Sequence, residues 1–313
     1  MTGSPWAFHV HLLGWVGVVA IGGVYWALVR RPHDGTIASE RFRAAGPGAP
    51  AGPPNAGPMS VAPNRRQLWQ LAAGLGALAV AVTWPLADLA AHWSLTALLV
   101  QRMLLTLVVA PALVLATPTP VLSRLTRPAL VDSVVDVASR PPVAIAVFST
   151  IVVGTLTNPA VAAQSSSAMW VGTFDGLLLV AGVVLWLPVL GQMPGARRPS
   201  SIGRAAYLIV QSVVPNFPAV IFVFARHPLY GAFAHSVRAI GLSALNDQQL
   251  AGVVAKVGTL PVLWSAAWVV LNRGQRAEEL GVDETPLTWA QVERALERSA
   301  RAERRRQRLP VDQ

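Results

Sequence analysis

Long apolar segments recur along the chain and are separated by short polar segments. Seven of them reach about 20 residues, the length that a helix needs to cross the apolar layer of a bilayer. They cover residues 8–29, 68–90, 96–116, 142–161, 168–190, 205–225 and 248–271. The pattern predicts an all-α fold, a polytopic membrane bundle of seven transmembrane helices.

The polar segments divide the chain into four predicted parts. Residues 1–30 form a first transmembrane helix with an outer N-terminus. Residues 31–67 form a cytoplasmic linker rich in Gly, Pro and Ala, a composition typical of flexible connections. Residues 68–273 form a six-helix membrane core. Residues 274–313 form a basic cytoplasmic tail, in which a helix is predicted over residues 285–308 with Thr285 as its candidate N-cap.

The composition agrees with a membrane protein. Of 313 residues, 53% are hydrophobic and only 13% are charged, and the mean hydropathy is +0.48. A net charge of +10 would suggest nucleic acid in a soluble protein. Here the basic residues flank apolar segments, so we predict membrane lipids as neighbours and no nucleic acid. The chain has no cysteine, which excludes disulfides, thiolate metal sites and c-type haem attachment.

Arginines in the loops predict the orientation of the bundle. They gather after the first, third, fifth and seventh apolar segments, whereas the opposite loops carry chiefly Arg226 and Arg238. Basic loops stay in the cytoplasm. The N-terminus is therefore predicted outside and the C-terminus inside.

Three ionisable residues interrupt the apolar segments at similar depth: Arg102, Asp175 and Lys256. Charges at membrane depth are costly and normally face a partner or a water-filled cavity. We therefore expect Arg102 to face Asp175 within about 4 Å, with Lys256 close enough to share the carboxylate. This requires the third, fifth and seventh helices to adjoin. Gln101 points about 100° away on an ideal helix and is placed outside this polar network.

Histidines predict where copper would bind if the protein handles it. His9 and His11 open the first helix, and His92 lies at the same predicted outer surface. Imidazole and thioether are the soft ligands left in a chain without cysteine. His9, His11 and His92 are therefore the candidate metal ligands, with Met103 as a secondary one. Unrelated interfacial histidines are the alternative.

Several short motifs resemble those of the CtaG-type assembly factors of caa-type cytochrome c oxidases, which are seven-span membrane proteins. The matching motifs cover about residues 68–275. Their residues are Asp88 closing the second span, Gln101 and Pro111 in the third, Trp186 and Pro188 ending the fifth, Tyr230, and the Asp247-Gln248-Gln249 sequence before the seventh.

The resemblance implies a non-enzymatic assembly or maturation factor for a haem-copper oxidase in a bacterial plasma membrane. Its partners would be oxidase subunits or other assembly factors, and copper insertion is a candidate task. Members of the family often carry two histidine pairs in the third and fifth spans. This chain has Leu98 and Arg102, then Val171 and Asp175, at those positions. The resemblance therefore predicts a salt bridge where other members carry histidines.

Two other functions remain open at this stage. A proton-coupled transporter of small molecules could use Asp175 as its proton carrier. A retinal protein would use Lys256 in the seventh helix, but Gly252 stands where such proteins commonly have an aspartate. No catalytic triad, phosphate-binding loop or HExxH motif occurs.

Overall fold

The computed structural model describes Trp6, Phe8, His9 and residues 11–30, 63–126, 128–193, 195–233 and 241–280. Within these ranges all regular elements are helical. The principal helices are α1 (Leu12–Arg30), α2 (Arg65–Val82), α3 (Leu86–Trp93), α4 (Leu95–Ala116), α5 (Thr119–Leu125), α6 (Ala129–Ala138), α7 (Pro141–Thr155), α8 (Asn158–Ser166), α9 (Ala168–Leu190), α10 (Ser201–Phe224) and α11 (Ala244–Glu279). Most of the predicted linker and all of the predicted C-terminal helix lie outside the described residues.

Five of these helices are long and apolar enough to cross a membrane: α1, α4, α9, α10 and α11. Two bent pairs meet the same criterion when each is taken as one span. They are α2 with α3, bent by 46°, and α6 with α7, bent by 89°. The described helices therefore provide five to seven candidate spans.

The predicted fourth span, residues 142–161, is interrupted. Helix α7 ends at Thr155, and the chain turns through Leu156 and Thr157 into the short helix α8. Pro159 explains part of this break, because it has no backbone N–H to return to the carbonyl of Thr155. The end of α7 thus leaves carbonyl groups in the protein interior that need other donors.

Helix α4 lies at the centre of the bundle and packs against α2, α9 and α11. Its middle turns, Leu104–Val109, widen into a π-helix just before Pro111. The indole Nε1 of Trp186 on α9 donates to the carbonyl of Thr106 in this segment, at 3.1 Å. Gly182 lets the two helices approach, because a Cβ there would lie only 2.7 Å from the Cβ of Ala110. The predicted motif residues Pro111 and Trp186 therefore shape one helix contact.

Helix α1 is peripheral, and Tyr25 is its one buried residue. The Tyr25 hydroxyl donates to the carbonyl of Ala116 at 2.9 Å and ties α1 to the end of α4. We call the opposite end of the bundle, where His9, His11, His92 and Asp247 lie, the histidine end. The end that carries Asp136, Arg140 and Arg197 is called the arginine end.

Candidate functional site

At the histidine end, two histidines of the N-terminal segment converge on one buried carboxylate. Nδ1 of His9 lies 3.0 Å from Oδ2 of Asp88 in a hydrogen bond. Nε2 of His11 lies 3.0 Å from Oδ1, at ion-pair distance but outside hydrogen-bond geometry. Asp88 is 6% exposed and lies in the first turn of α3. The motif residue Asp88 therefore connects α3 to the start of α1.

The predicted copper ligands are only partly brought together. His92 lies one turn beyond Asp88 on α3, on the same wall of the bundle as His11. Met103 is elsewhere: its methyl group packs against Gly258 on α11, where an added Cβ would clash with it. In the described parts of the chain, no three His, Asp or Glu side chains form a group that could hold a metal ion. In this arrangement the imidazoles of His9 and His11 contact the Asp88 carboxylate.

Asp247 clamps the start of α4 from the start of α11. Its carboxylate accepts hydrogen bonds from the Ser94 hydroxyl at 2.6 Å, the Leu95 N–H at 2.7 Å and the Thr96 N–H at 3.3 Å. The Thr96 hydroxyl also donates to the Asp247 carbonyl, at 2.9 Å. Free N–H groups and the helix dipole both favour an anion at a helix N-terminus. The buried charge of Asp247 is thus accounted for by α4.

The neighbouring motif residues hold the loop between α10 and α11. Gln248 accepts a hydrogen bond from the Leu229 N–H at 2.7 Å, and Gln249 donates to the Ala225 carbonyl at 3.3 Å. The Tyr230 hydroxyl donates to the carbonyl of Leu156, just beyond α7, at 2.6 Å. The specific Asp247-Gln248-Gln249 sequence therefore works as a structural clamp around the histidine end.

Arg102 caps the C-terminus of α7. Its Nη1 donates to the Thr155 hydroxyl at 3.0 Å, and its Nη2 donates to the Thr155 carbonyl at 2.8 Å. Nη2 also donates to the side-chain oxygen of Gln164 on α8, at 2.9 Å. Pro159 has no N–H that could donate to the Thr155 carbonyl, and a cation is favoured at a helix C-terminus. Arg102 therefore stabilises the break between α7 and α8.

The predicted ion pair between Arg102 and Asp175 is wrong for this structure. No ion pair within 4 Å joins the two residues, because the guanidinium faces Thr155 and Gln164. Asp175 is contacted instead by Gln101, whose Nε2 lies 3.3 and 3.4 Å from the two carboxylate oxygens. The exclusion of Gln101 from the polar network is therefore also wrong.

Lys256 does not share the Asp175 carboxylate. It is half-buried on α11 and makes no ion pair with any described residue. Helix α4 does adjoin both α9 and α11, which bears out part of the predicted arrangement. Asp175 on α9 and Lys256 on α11 therefore form no ion pair.

A wide cleft of about 660 Å³ separates α1 from α8 and α9 at the histidine end. Its polar wall carries His11, His92, Asp175 and residues 164–167 (Gln164 and three serines), and apolar residues of α1, α2, α3 and α9 form the rest. Volumes of this size are typical of pockets for small organic ligands. Asp175, His11 and His92 therefore line the same cleft.

Two residues of this region, Thr155 and Gln164, were not among the predicted site residues. The signal in the sequence was Pro159, which ends α7 and leaves a carbonyl for Arg102.

Pro188 was predicted as a motif residue and lies buried inside α9. The Tyr207 hydroxyl donates to the Leu185 carbonyl in the preceding turn, at 2.8 Å.

Comparison with known families gives one match. The family model for the cytochrome c oxidase caa3 assembly factor (Caa3_CtaG) matches residues 54–276. This range begins before α2 and ends near the end of α11, so it contains the whole described bundle except α1. No curated protein and no solved structure gives a significant match.

Proposed function

Because the chain belongs to the cytochrome c oxidase caa3 assembly factor family, we propose that it supports the assembly or maturation of a haem-copper cytochrome c oxidase and catalyses no reaction itself. The family match over 54–276 carries this proposal. The motif residues that we quoted support it, because Asp247, Gln248 and Tyr230 bind helix ends and loops instead of lining a catalytic pocket. Its partners would be oxidase subunits or other assembly factors.

Loss of the protein should lower the amount of active oxidase. We expect a deletion strain to assemble less oxidase and to show lower oxidase activity, and the wild-type gene should restore both. The measurement is oxidase activity together with the haem absorbance of membranes. Unchanged oxidase in the deletion strain would remove the assembly role.

Copper handling is a finer part of the same proposal. Its ligands would be His9, His11 and His92, because His9 and His11 already meet at Asp88 at the histidine end. Both would have to exchange the carboxylate for the metal, so the resting arrangement is not itself a metal site. In the complementation experiment, a variant with His9→Ala and His11→Ala should restore less oxidase than the wild type. Full restoration, with unchanged copper content of the purified protein, would exclude these ligands.

We further propose seven spans in a bacterial plasma membrane: α2–α3 counts as one, and α7 belongs to another, while α6, bent from α7 by 89°, lies outside that span at the arginine end. The arginines of the loops support an outer N-terminus and a cytoplasmic C-terminus. The histidine end would then face outward and the arginine end inward. A tag at the N-terminus or between Ala162 and Ser167 should react with an impermeant reagent in intact cells. A tag at Gln313 should react only after lysis, and labelling of both termini from one side would overturn this topology.

The transporter hypothesis rested on Asp175 as a proton carrier. The family match gives it no support. The four predicted parts of the chain, residues 1–30, 31–67, 68–273 and 274–313, stay proposals. Helix α2 begins at Arg65, and α11 extends to Glu279, beyond the predicted end of the seventh span.

A further inference from the structure

A second, smaller cavity lies inside the bundle, between α4, α7, α10 and α11. Its volume is about 60 Å³. Most of its wall is apolar and includes Leu99, Phe148, Phe222 and Leu263. It is separate from the wide cleft beside α1, with which it shares no lining residue.

Two polar side chains line this cavity with atoms that have no hydrogen-bond partner. Gln211 on α10 is fully buried, and both its amide nitrogen and its amide oxygen are unpartnered. Arg102, which is 4% exposed, has an unpartnered Nε. Buried polar atoms almost always have a partner in the protein, in water or in a ligand, because leaving one unpaired costs about 1–3 kcal/mol. The two residues therefore point to an occupant.

The bend in α10 explains why there is space at Gln211. The helix tightens into a 3-10 turn at Val214–Asn216, which contains Pro215, and Pro218 follows at the start of the next helical segment. Pro215 has no N–H to return to the backbone carbonyl of Gln211. Both prolines line the cavity. The two prolines thus interrupt the regular hydrogen bonding of α10, and the Gln211 side chain faces the cavity.

The charges around the cavity favour an anion. None of the lining residues is acidic, and Arg102 is the one charged residue among them. Its guanidinium has no carboxylate of a described residue within 4 Å. The carboxylate of Asp175 is contacted by Gln101 instead. The free N–H of Arg102 and the NH₂ group of Gln211 give the cavity an excess of donors. A buried cation without a paired anion is costly, and an anion in the cavity would offset that cost.

We propose that this cavity binds a monovalent anion of halide size, held by Nε of Arg102 and the amide nitrogen of Gln211. The volume would admit about two water molecules, at roughly 30 Å³ each, or one small anion with a water. Apolar walls favour weakly hydrated anions, so bromide should bind better than chloride. The site does not depend on the assembly role.

Bromide is the probe for this site. Purified full-length protein in detergent is unfolded by heat in sodium gluconate, with bromide replacing gluconate at constant ionic strength. Wild-type protein should gain about 3 °C in its unfolding temperature at roughly ten times the dissociation constant, and the gain should saturate. Gln211→Met and Arg102→Gln should each abolish the gain. A crystal grown in bromide should show an anomalous peak between the two side chains.

Matched control variants separate this site from general salt effects. Gln249→Met removes an amide, and Lys256→Met removes a cation, both outside the cavity lining. Both variants should keep the bromide response. If bromide does not stabilise the wild type and Gln211→Met lowers the unfolding temperature, water is the occupant and the anion proposal is wrong. If bromide has no effect and Gln211→Met raises the unfolding temperature, the amide is simply unpaired and the cavity is empty.

Discussion

Asp175 and Asp247 are both buried carboxylates on membrane helices, yet their hydrogen-bond partners differ. Asp247 accepts three hydrogen bonds from the first turn of α4, two of them from backbone N–H groups. Asp175 has one amide neighbour, Gln101, at 3.3 and 3.4 Å, near the upper limit for a hydrogen bond. One carboxylate caps a helix, and the other lines a cleft.

The difference suggests separate roles for the two regions. The clamp around Asp247 fixes the positions of α4, α11 and the loop that carries Tyr230. The region around Asp175 keeps a carboxylate weakly bonded beside a cleft of about 660 Å³. Weakly bonded polar groups in a cleft are available to a ligand or partner, whereas a fully bonded group is not. The Asp247 carboxylate is thus fully bonded to the start of α4, whereas the Asp175 carboxylate keeps unused acceptor capacity beside the cleft.

The largest effect should come from removing the Asp247 clamp. Asp247→Ala leaves the Ser94 hydroxyl and two backbone N–H groups without their acceptor. We expect a loss of about 3 kcal/mol in the free energy of unfolding, because bonds to charged groups contribute about 1.5–3 kcal/mol. Asp247→Asn keeps one acceptor oxygen and should lose about half as much. Thermal unfolding in detergent measures both, and an unchanged Asp247→Ala variant would refute the clamp.

A smaller effect is expected for Arg102, and its partner can be identified by double-mutant cycles. Arg102→Met removes the cap of α7 and should cost about 2 kcal/mol. The coupling energy with Gln164→Leu should be about 1 kcal/mol, because the two side chains share a hydrogen bond. The coupling with Asp175→Asn should be smaller. A larger coupling with Asp175, or recovery of stability when Arg102 and Asp175 are exchanged, would show a direct ion pair and remove the contrast between the two carboxylates.

Much of the fold could be predicted from the sequence, because membrane helices are apolar over a defined length. The segments that become α1, α4, α9, α10 and α11 were all recognised. Two features were harder to predict. Pro85 and Pro159 interrupt long apolar segments at points where hydropathy alone sees no break. The bend between α2 and α3 follows from Pro85, and the separate short helix α8 follows from Pro159.

The candidate site was less predictable, because the cost of a buried charge does not identify its partner. The sequence shows that Arg102 and Asp175 must be compensated, and the nearest opposite charge is the obvious candidate. A helix C-terminus offers a guanidinium part of that compensation without any carboxylate. That partner is a backbone carbonyl of α7. Every residue has such a carbonyl, so no particular amino acid marks it in the sequence. The motif resemblance did point to Gln101, although helix geometry argued against it.

The smallest effect concerns a third carboxylate, Asp136 at the arginine end, which is partly exposed and is the reference for the two buried ones. Arg197 Nε lies 2.7 Å from its Oδ1, and Arg140 Nη2 lies 3.0 Å from its Oδ2.

Hydrogen bonds from Arg197 and then Arg140 lower the pKa of Asp136 below its ordinary value. A carboxylate whose pKa is lower in the folded protein contributes stability above its unfolded pKa, about 3.9. That contribution is lost as the pH falls through the lower, folded pKa. We therefore expect Asp136→Asn to unfold at a slightly lower temperature than the wild type at pH 7, and the difference to disappear as the pH falls through the folded pKa of Asp136. The difference should shrink at high salt, because exposed ion pairs are screened. A loss at pH 7 as large as that of Asp247→Asn would mean that bond number and burial do not rank these carboxylates, and the contrast between Asp175 and Asp247 would lose its basis.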